Sequence, residues 1–335
     1  MFAKRAHLRR DPLDGTGLPP YYLPVAAVCI CCALVYTIAY VQIGGSGWAS
    51  ATSAVRVDEV PMEEESESVQ TPAPPPVEIR RTRHELEGSA AESVRKTSSY
   101  GQLTQAIGAF EDKGYSVSFV LHNLSAGQEV SYDAERDYYP ASSIKGPYVT
   151  SLYQMQVEPG AVPLDDVSEL AAATIVYSDN DAYRELREQY GSEAFVQWLR
   201  DAGVAERPFV TFEDFAMANY PRICTRQLAQ MWMHVNAYLN SGTDPARQLR
   251  ELLSDREVAP IRDAIASTGT PSVGKAGWMD ETDEETGAMP SATEAGVVYT
   301  RQGNLLIALM SDAPAEFEDI LPVINALYQT SSALV

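Results

Sequence analysis

Three short stretches of this chain carry the residue types of serine acyl transfer: Ser142-Ser143-Ile144-Lys145, Ser178-Asp179-Asn180 and Lys275-Ala276-Gly277, in that order. A serine hydroxyl is a poor nucleophile until a neighbouring base takes its proton. Ser142 follows Tyr139-Pro140-Ala141, an extended lead-in that suits a helix start. A helix beginning at Ser142 sets Lys145 one turn on, on the same face. Buried there near other cations, a lysine amine sheds its proton and can act as the base. The helix start also points Ser142 N–H at the place where an oxyanion would form. Pro147 is tolerable because it falls within the first turns.

Ser-x-x-Lys alone is weak, since Ser93-Val94-Arg95-Lys96 and Ser272-Val273-Gly274-Lys275 also match. Context separates them. Ser93 sits in a polar stretch with nothing to desolvate its lysine, and Ser272 enters a strand, where an i, i+3 pair does not share a face. Only Ser142 leads into an apolar helix, through Val149, Leu152 and Met155. Ser178-Asp179-Asn180 follows an apolar segment and precedes a helix, so taken alone it reads first as an ordinary N-cap. Its functional reading is a loop facing the nucleophile, with Ser178 relaying a proton to a leaving nitrogen and Asn180 holding a substrate amide. Lys275 is either a solvent-facing lysine on an edge strand or an ammonium in the cleft beside Ser178 that binds a substrate carboxylate. Gly277 would let substrate approach the backbone, and Trp278 N–H would be the second oxyanion donor after Ser142 N–H.

The elements that must position these groups are legible in outline. Residues 100–110 read as a helix with Leu103, Ile107 and Phe110 on one side. Residues 115–124 and 129–133 read as a hairpin about Ser125-Ala126-Gly127. From 142 to about 265 the pattern is mostly helical, most clearly at 179–190, 192–202 and 225–240. Strands return at 274–279, 295–300 and 304–311, and residues 315–328 form a closing amphipathic helix. Two strands, a long helical insertion, three strands and a terminal helix predict an α+β fold with one antiparallel sheet flanked by helices.

The formal net charge of −21, from 46 acidic and 25 basic residues, repels nucleic acid and anionic lipid, so neither is an expected partner. The four histidines and four cysteines show no zinc spacing, so no metal and no cofactor is expected. Residues 1–20 are a basic segment with Lys4, Arg5, Arg9 and Arg10. Residues 21–43 contain no charged residue, and at the helical rise they span roughly 34 Å, enough to cross a membrane. The charge bias puts the N-terminus in the cytoplasm and the rest outside, a single-pass bacterial cell-membrane protein anchored through 21–43. The competing reading is a cleaved signal peptide with Ala49-Ser50-Ala51 at the cleavage site, for which the apolar run is long. Residues 44–96 are acidic, then Pro-rich at Thr71-Pro72-Ala73-Pro74-Pro75-Pro76, and read as a linker. The globular domain is placed at 97–335.

Together the three motifs resemble the penicillin-recognising serine enzymes, most closely class A β-lactamases, which carry Ser-x-x-Lys, Ser-Asp-Asn and Lys-Thr-Gly in this order. The resemblance runs over about 97–333 and extends to Asp181-Ala182 after the second motif and to Thr225-Arg226-Gln227-Leu228-Ala229. It implies a five-stranded antiparallel sheet flanked by helices, an all-helical subdomain, and a site between them. It further implies that Ser142 is acylated, Lys145 is its base, Ser178 the proton relay, Asn180 a substrate contact and Lys275 the cation for the substrate carboxylate. Three departures stand out. The Ser142 to Ser178 interval is short, so the helical subdomain is trimmed. Ala276 replaces a threonine whose hydroxyl would be worth about 0.5–1.5 kcal/mol. The glutamate segment that drives deacylation is absent; the corresponding loop, 206–220, offers Glu213 and Asp214, and Glu213 reads either as the group that activates water or as a surface acid beside core aromatics. The expected activity is a hydrolase opening β-lactam amides. The alternatives are a D,D-peptidase acting on peptidoglycan stem peptides, or a catalytically weak cell-wall-binding module.

Overall fold

The computed structural model, which describes residues 85–315 and 317–335, has eleven α-helices and seven strands; the predicted order of two strands, a helical insertion, three strands and a terminal helix is present, with a short two-stranded ribbon added to it. Helices α1 (Ala91–Arg95) and α2 (Tyr100–Glu111) lead into strands β1 (Val117–Asn123), β2 (Gln128–Tyr132) and the short β3 (Asp137–Tyr138). A 3₁₀ turn, Ala141–Ile144, runs directly into α3 (Lys145–Leu152). The helical region continues with α4 (Leu164–Val176), α5 (Asn180–Tyr190), α6 (Glu193–Asp201) and α7 (Phe212–Met217). Strand β4 (Ile223–Cys224) then pairs with β3, and α8 (Thr225–Leu239), α9 (Asp244–Ser254) and α10 (Pro260–Ala264) follow. The chain ends in β5 (Ser272–Met279), β6 (Ser291–Thr300), β7 (Gly303–Ser311) and α11 (Phe317–Thr330).

The main sheet has the order β2-β1-β7-β6-β5, antiparallel throughout. Its central strands read as unbroken apolar runs because both faces are covered. Alternation then sorts side chains between two cores. Val120, Leu306, Ala308 and Met310 face the helical region with Leu152, Trp198 and Trp232. Phe119, Leu121, Ile307 and Leu309 face α2 and α11 through Leu103, Phe110, Val323 and Leu327. Each such large apolar side chain, fully buried, contributes about 1.5–3 kcal/mol, and two cores sharing one sheet hold β5 rigidly behind the site.

The predicted boundary at residue 97 is corrected. Leu86, Ala90, Ala91 and Val94 are buried in the second core. Glu87 exchanges backbone hydrogen bonds with Ser131 of β2 in both directions, each 2.9 Å. The segment covers the open edge of β2, which would otherwise expose unpaired backbone groups. A helix of five residues is too short to show an apolar stripe, which is why it reads as linker. The basic segment, the apolar run at 21–43 and most of the linker lie outside the described residues. Among the described residues no helix is long and apolar enough to cross a membrane.

Candidate active site

The turn that carries Ser142 is held from three sides. Pro140 O accepts hydrogen bonds from Ser143 N (3.1 Å) and Ser143 Oγ (2.7 Å). Thr293 Oγ1, from β6, lies 3.1 Å from Pro140 O and 3.2 Å from Gly277 O, and so ties the turn to β5. Ala141 sits at φ +42°, a conformation that costs a non-glycine residue about 1–3 kcal/mol and persists only when its surroundings impose it. Gly277 is where turn and strand touch: a Cβ there would lie 2.5 Å from Pro140 O and 2.7 Å from Ser142 N. The peptide joining Gly277 to Trp278 therefore runs alongside Ser142 N–H. Ser142 itself is half-buried, and among the described residues its hydroxyl has no hydrogen-bond partner.

Lys145 is 0% exposed. Its Nζ donates to Ser178 O (2.7 Å), Asn180 Oδ1 (2.7 Å) and Asp179 O (3.2 Å). The Tyr183 and Tyr220 rings flank it, 5.5 and 5.9 Å to their centroids. Burial pushes its pKa down to about 7, against the smaller upward pull of the Asp179 carboxylate. Both a base and an acid can exist at such a value near neutral pH.

Ser178 stands between two lysines, at φ +60°. Its carbonyl faces Lys145, and its hydroxyl oxygen accepts from Lys275 Nζ at 2.8 Å. Lys275 is 2% exposed although β5 is an edge strand, so the solvent-facing reading of this residue is excluded. Burial, then the charge of Lys145, drive its pKa well below the ordinary lysine value. Behind it Arg256 and Glu294 form a buried ion pair, 3.0 and 3.1 Å between their atoms, pressed against Gly274. Burial raises the Glu294 pKa against the pull of Arg256. The capping reading of the second motif holds, and its other two residues hydrogen-bond the buried lysines. Asp179 is the N-cap of α5, its Oδ1 accepting from Ala182 N at 2.8 Å, while Ser178 and Asn180 face the lysines.

Trp278 continues β5, half-buried, its ring against Phe317 and 5.8 Å from Lys275 Nζ. Glu213 does not join the group. Thr211 and Asp214 close a capping box on α7 and Phe215 turns into the core, which leaves Glu213 on the solvent side. Among the described residues, Asp179 is the one carboxylate whose charge bears on the Lys145 amine. Five residues outside the motifs belong to the site: Tyr183, Tyr220, Thr293 and the ion-paired Arg256 and Glu294. Tyr183 lies one turn from Asn180 on α5, a spacing visible in the sequence; the others are joined to the site by distant strands or loops.

The profile of the family described as Beta-lactamase enzyme family matches residues 164–331, half of the chain. The match includes the second and third motifs and begins after the first. No curated protein matches the sequence. Among solved structures, the chain is similar to a beta-lactamase from Sphaerobacter thermophilus, at 16% identity and a TM-score of 0.55, over 70% of this chain and 98% of that one. It is similar to a class A beta-lactamase from Clostridium kluyveri, at 18% identity and 0.54, over 69% and 99%. It is also similar to PBP-A, at 17% identity and 0.55, over 69% and 96%; a mutant of that protein is known as an acyl-enzyme complex with penicillin G. At these identities the likeness is one of fold.

Proposed function

The chain belongs to the beta-lactamase enzyme family, and we propose that it is a serine hydrolase of the class A type in which Ser142 is the residue acylated by β-lactam-like amides. The observation that carries this is the convergence of two buried lysines from different elements on Ser178, beside the turn that presents Ser142. The chemistry follows from the hydrogen bonds. As a neutral amine, Lys145 keeps its two 2.7 Å donations, to Ser178 O and Asn180 Oδ1, and gives up the 3.2 Å one. The freed lone pair takes the Ser142 proton as Oγ attacks the amide carbonyl. Ser142 N–H and Trp278 N–H receive the oxyanion, a contribution of about 10²–10³-fold per donor. Because Ser178 Oγ already accepts from Lys275, its own proton is free to pass to the leaving nitrogen. In its protonated form Lys275 makes that corner positive and serves a substrate carboxylate.

A second reading concerns the fate of the acyl-enzyme. Among the described residues Asp179 is the one carboxylate acting on Lys145, and its Oδ1 is committed to Ala182 N. If Asp179, so committed, does not activate water, the ester would be long-lived, as in a D,D-peptidase that works on peptidoglycan stem peptides. The experiment is intact-mass spectrometry after exposure to a penicillin. Labelling of the wild type that vanishes in Ser142→Ala supports the nucleophile; equal labelling of both would refute it, and no labelling would leave a wall-binding module. Rapid turnover of a chromogenic cephalosporin would favour the hydrolase, and a persistent adduct the peptidase. The uncharged run at 21–43 and the basic flank before it support a tether that holds this domain outside the membrane; membrane fractionation of the full chain checks it.

A further inference from the structure

The loop in which a carboxylate was expected brings a phenol to the site instead. Tyr220 Oη donates to Asn180 Oδ1 at 2.9 Å, and its ring covers Lys145 Nζ at 5.9 Å. The ring is itself wedged between Tyr183, 5.5 Å away, and Tyr139, 6.0 Å away. The peptide before it is pinned by Tyr183 Oη, which donates to Asn219 O at 3.0 Å. Upstream, Arg187 Nη2 donates to Phe215 O and Ala216 O at 3.1 and 2.9 Å. The loop is thus stapled to α5, and Tyr220 is held where it stands.

Asn180 Oδ1 now has two donors, Lys145 Nζ and Tyr220 Oη. A carbonyl oxygen has two lone pairs, so this one is saturated. The amide is fixed in orientation as well: a flipped side chain would set its NH₂ against an amine and a phenol proton at once. The correct orientation sends the NH₂ away from both, and because Asn180 is exposed that group is open to a substrate carbonyl. Burial holds the Tyr220 phenol far above its ordinary pKa, so at neutral pH it keeps its proton and donates it to Asn180 Oδ1.

We infer that Tyr220 is a positioning residue for acylation, aiming the Asn180 amide with its hydroxyl and keeping water from the Lys145 amine with its ring. This rests on the reading of Ser142 as nucleophile and Lys145 as base. The charged and titratable groups facing Lys145 are Lys275 from β5, Asp179 and Tyr183 from α5, and Tyr220 itself, with Arg184 and Arg187 acting on Tyr220 from behind. Of these, Tyr220 is the one supplied by the 206–220 loop.

The two functions separate by substitution. Tyr220→Phe keeps the ring and removes the hydroxyl. Tyr220→Leu removes both. The rate of penicillin acylation is followed by intact mass against pH for each, with thermal unfolding as the check on folding. Tyr220→Phe should acylate about three- to tenfold more slowly at every pH, the worth of one hydrogen bond, with its pH midpoint unmoved. Tyr220→Leu should show that loss and, in addition, a midpoint shifted upward as water reaches Lys145. Wild-type rates in Tyr220→Phe, or an unmoved midpoint in a folded Tyr220→Leu, would overturn the inference while Ser142 labelling stands. If Tyr220→Leu does not fold, Tyr220→Phe alone decides. Labelling that survives in Ser142→Ala would sink the underlying reading, and this inference with it.

Discussion

A single methyl group should separate catalysis from folding in this protein. In Gly277→Ala the new Cβ would stand 2.5 Å from Pro140 O, 2.5 Å from Ser143 N and 2.7 Å from Ser142 N. All three are backbone atoms, so no side chain can swing aside. Ordinary contact begins near 3.4 Å, so turn and strand must part by about 0.7–0.9 Å. That displacement falls on the two N–H groups that would hold the oxyanion, one on each side of the contact. Misplacement of about 1 Å typically costs 10²-fold in rate. The overpacking cost to stability is about 1–3 kcal/mol, a modest drop in melting temperature for a domain of this size. The acylation rate with a penicillin, read by intact mass, should fall about a hundredfold while circular dichroism stays native. Gly108→Ala is the control: on α2 a Cβ there meets nothing within 4 Å, and relief of glycine's helix penalty should stabilise by about 0.5–1 kcal/mol with acylation unchanged. A Gly277→Ala enzyme that acylates at the wild-type rate would refute the placement of the oxyanion donors across this contact.

Lys145→Ala should slow acylation by about 10²–10⁴-fold, the usual worth of a general base. In the wild type the active form carries the neutral amine, so the acylation rate should rise with pH through about 7 and plateau above it; a flat profile there would remove Lys145 from the base role. Breaking the buried Arg256–Glu294 pair by Glu294→Ala should cost about 3–5 kcal/mol in urea unfolding, because it strands a buried guanidinium. A double substitution to apolar residues should cost less than the sum of the singles, a non-additivity that a double-mutant cycle measures directly.

The sheet, its hairpins and the major helices were legible because their apolar residues repeat at the strand or helix period, and both cores obey that periodicity. The three motifs were legible because helix starts and strand entries constrain which residues can share a face. What escaped is where contacts join distant segments without periodicity. Glu87 pairs with Ser131 through backbone atoms that leave no mark in residue type. Thr293 meets Pro140 across 153 positions. Glu213 looked promising because it is an acid in the corresponding loop, yet the capping box formed by its neighbours Thr211 and Asp214 turns it outward. The residue type was right for a base; local helix geometry decided the direction.

That geometry also accounts for how a phenol came to sit at the amine. Asn180, Tyr183 and Arg187 lie three and four residues apart, one stripe of α5. Each holds a part of the 212–220 segment: Arg187 the Phe215 and Ala216 carbonyls, Tyr183 the Asn219 carbonyl, Asn180 the Tyr220 hydroxyl. The stripe is polar but faces inward, and Tyr183 and Arg187 are buried. Buried polar groups demand partners, and the loop's carbonyls supply them to Tyr183 and Arg187. The loop is therefore clamped carbonyl by carbonyl along the stripe, ending at the start of α5, beside Lys145. Whatever side chain occupies position 220 must then lie over the amine. An aromatic ring at that position excludes water from Lys145, whereas a carboxylate would hold its proton on. The low pKa of Lys145 and the presence of a phenol rather than a carboxylate at position 220 are, on this account, two consequences of the same clamp.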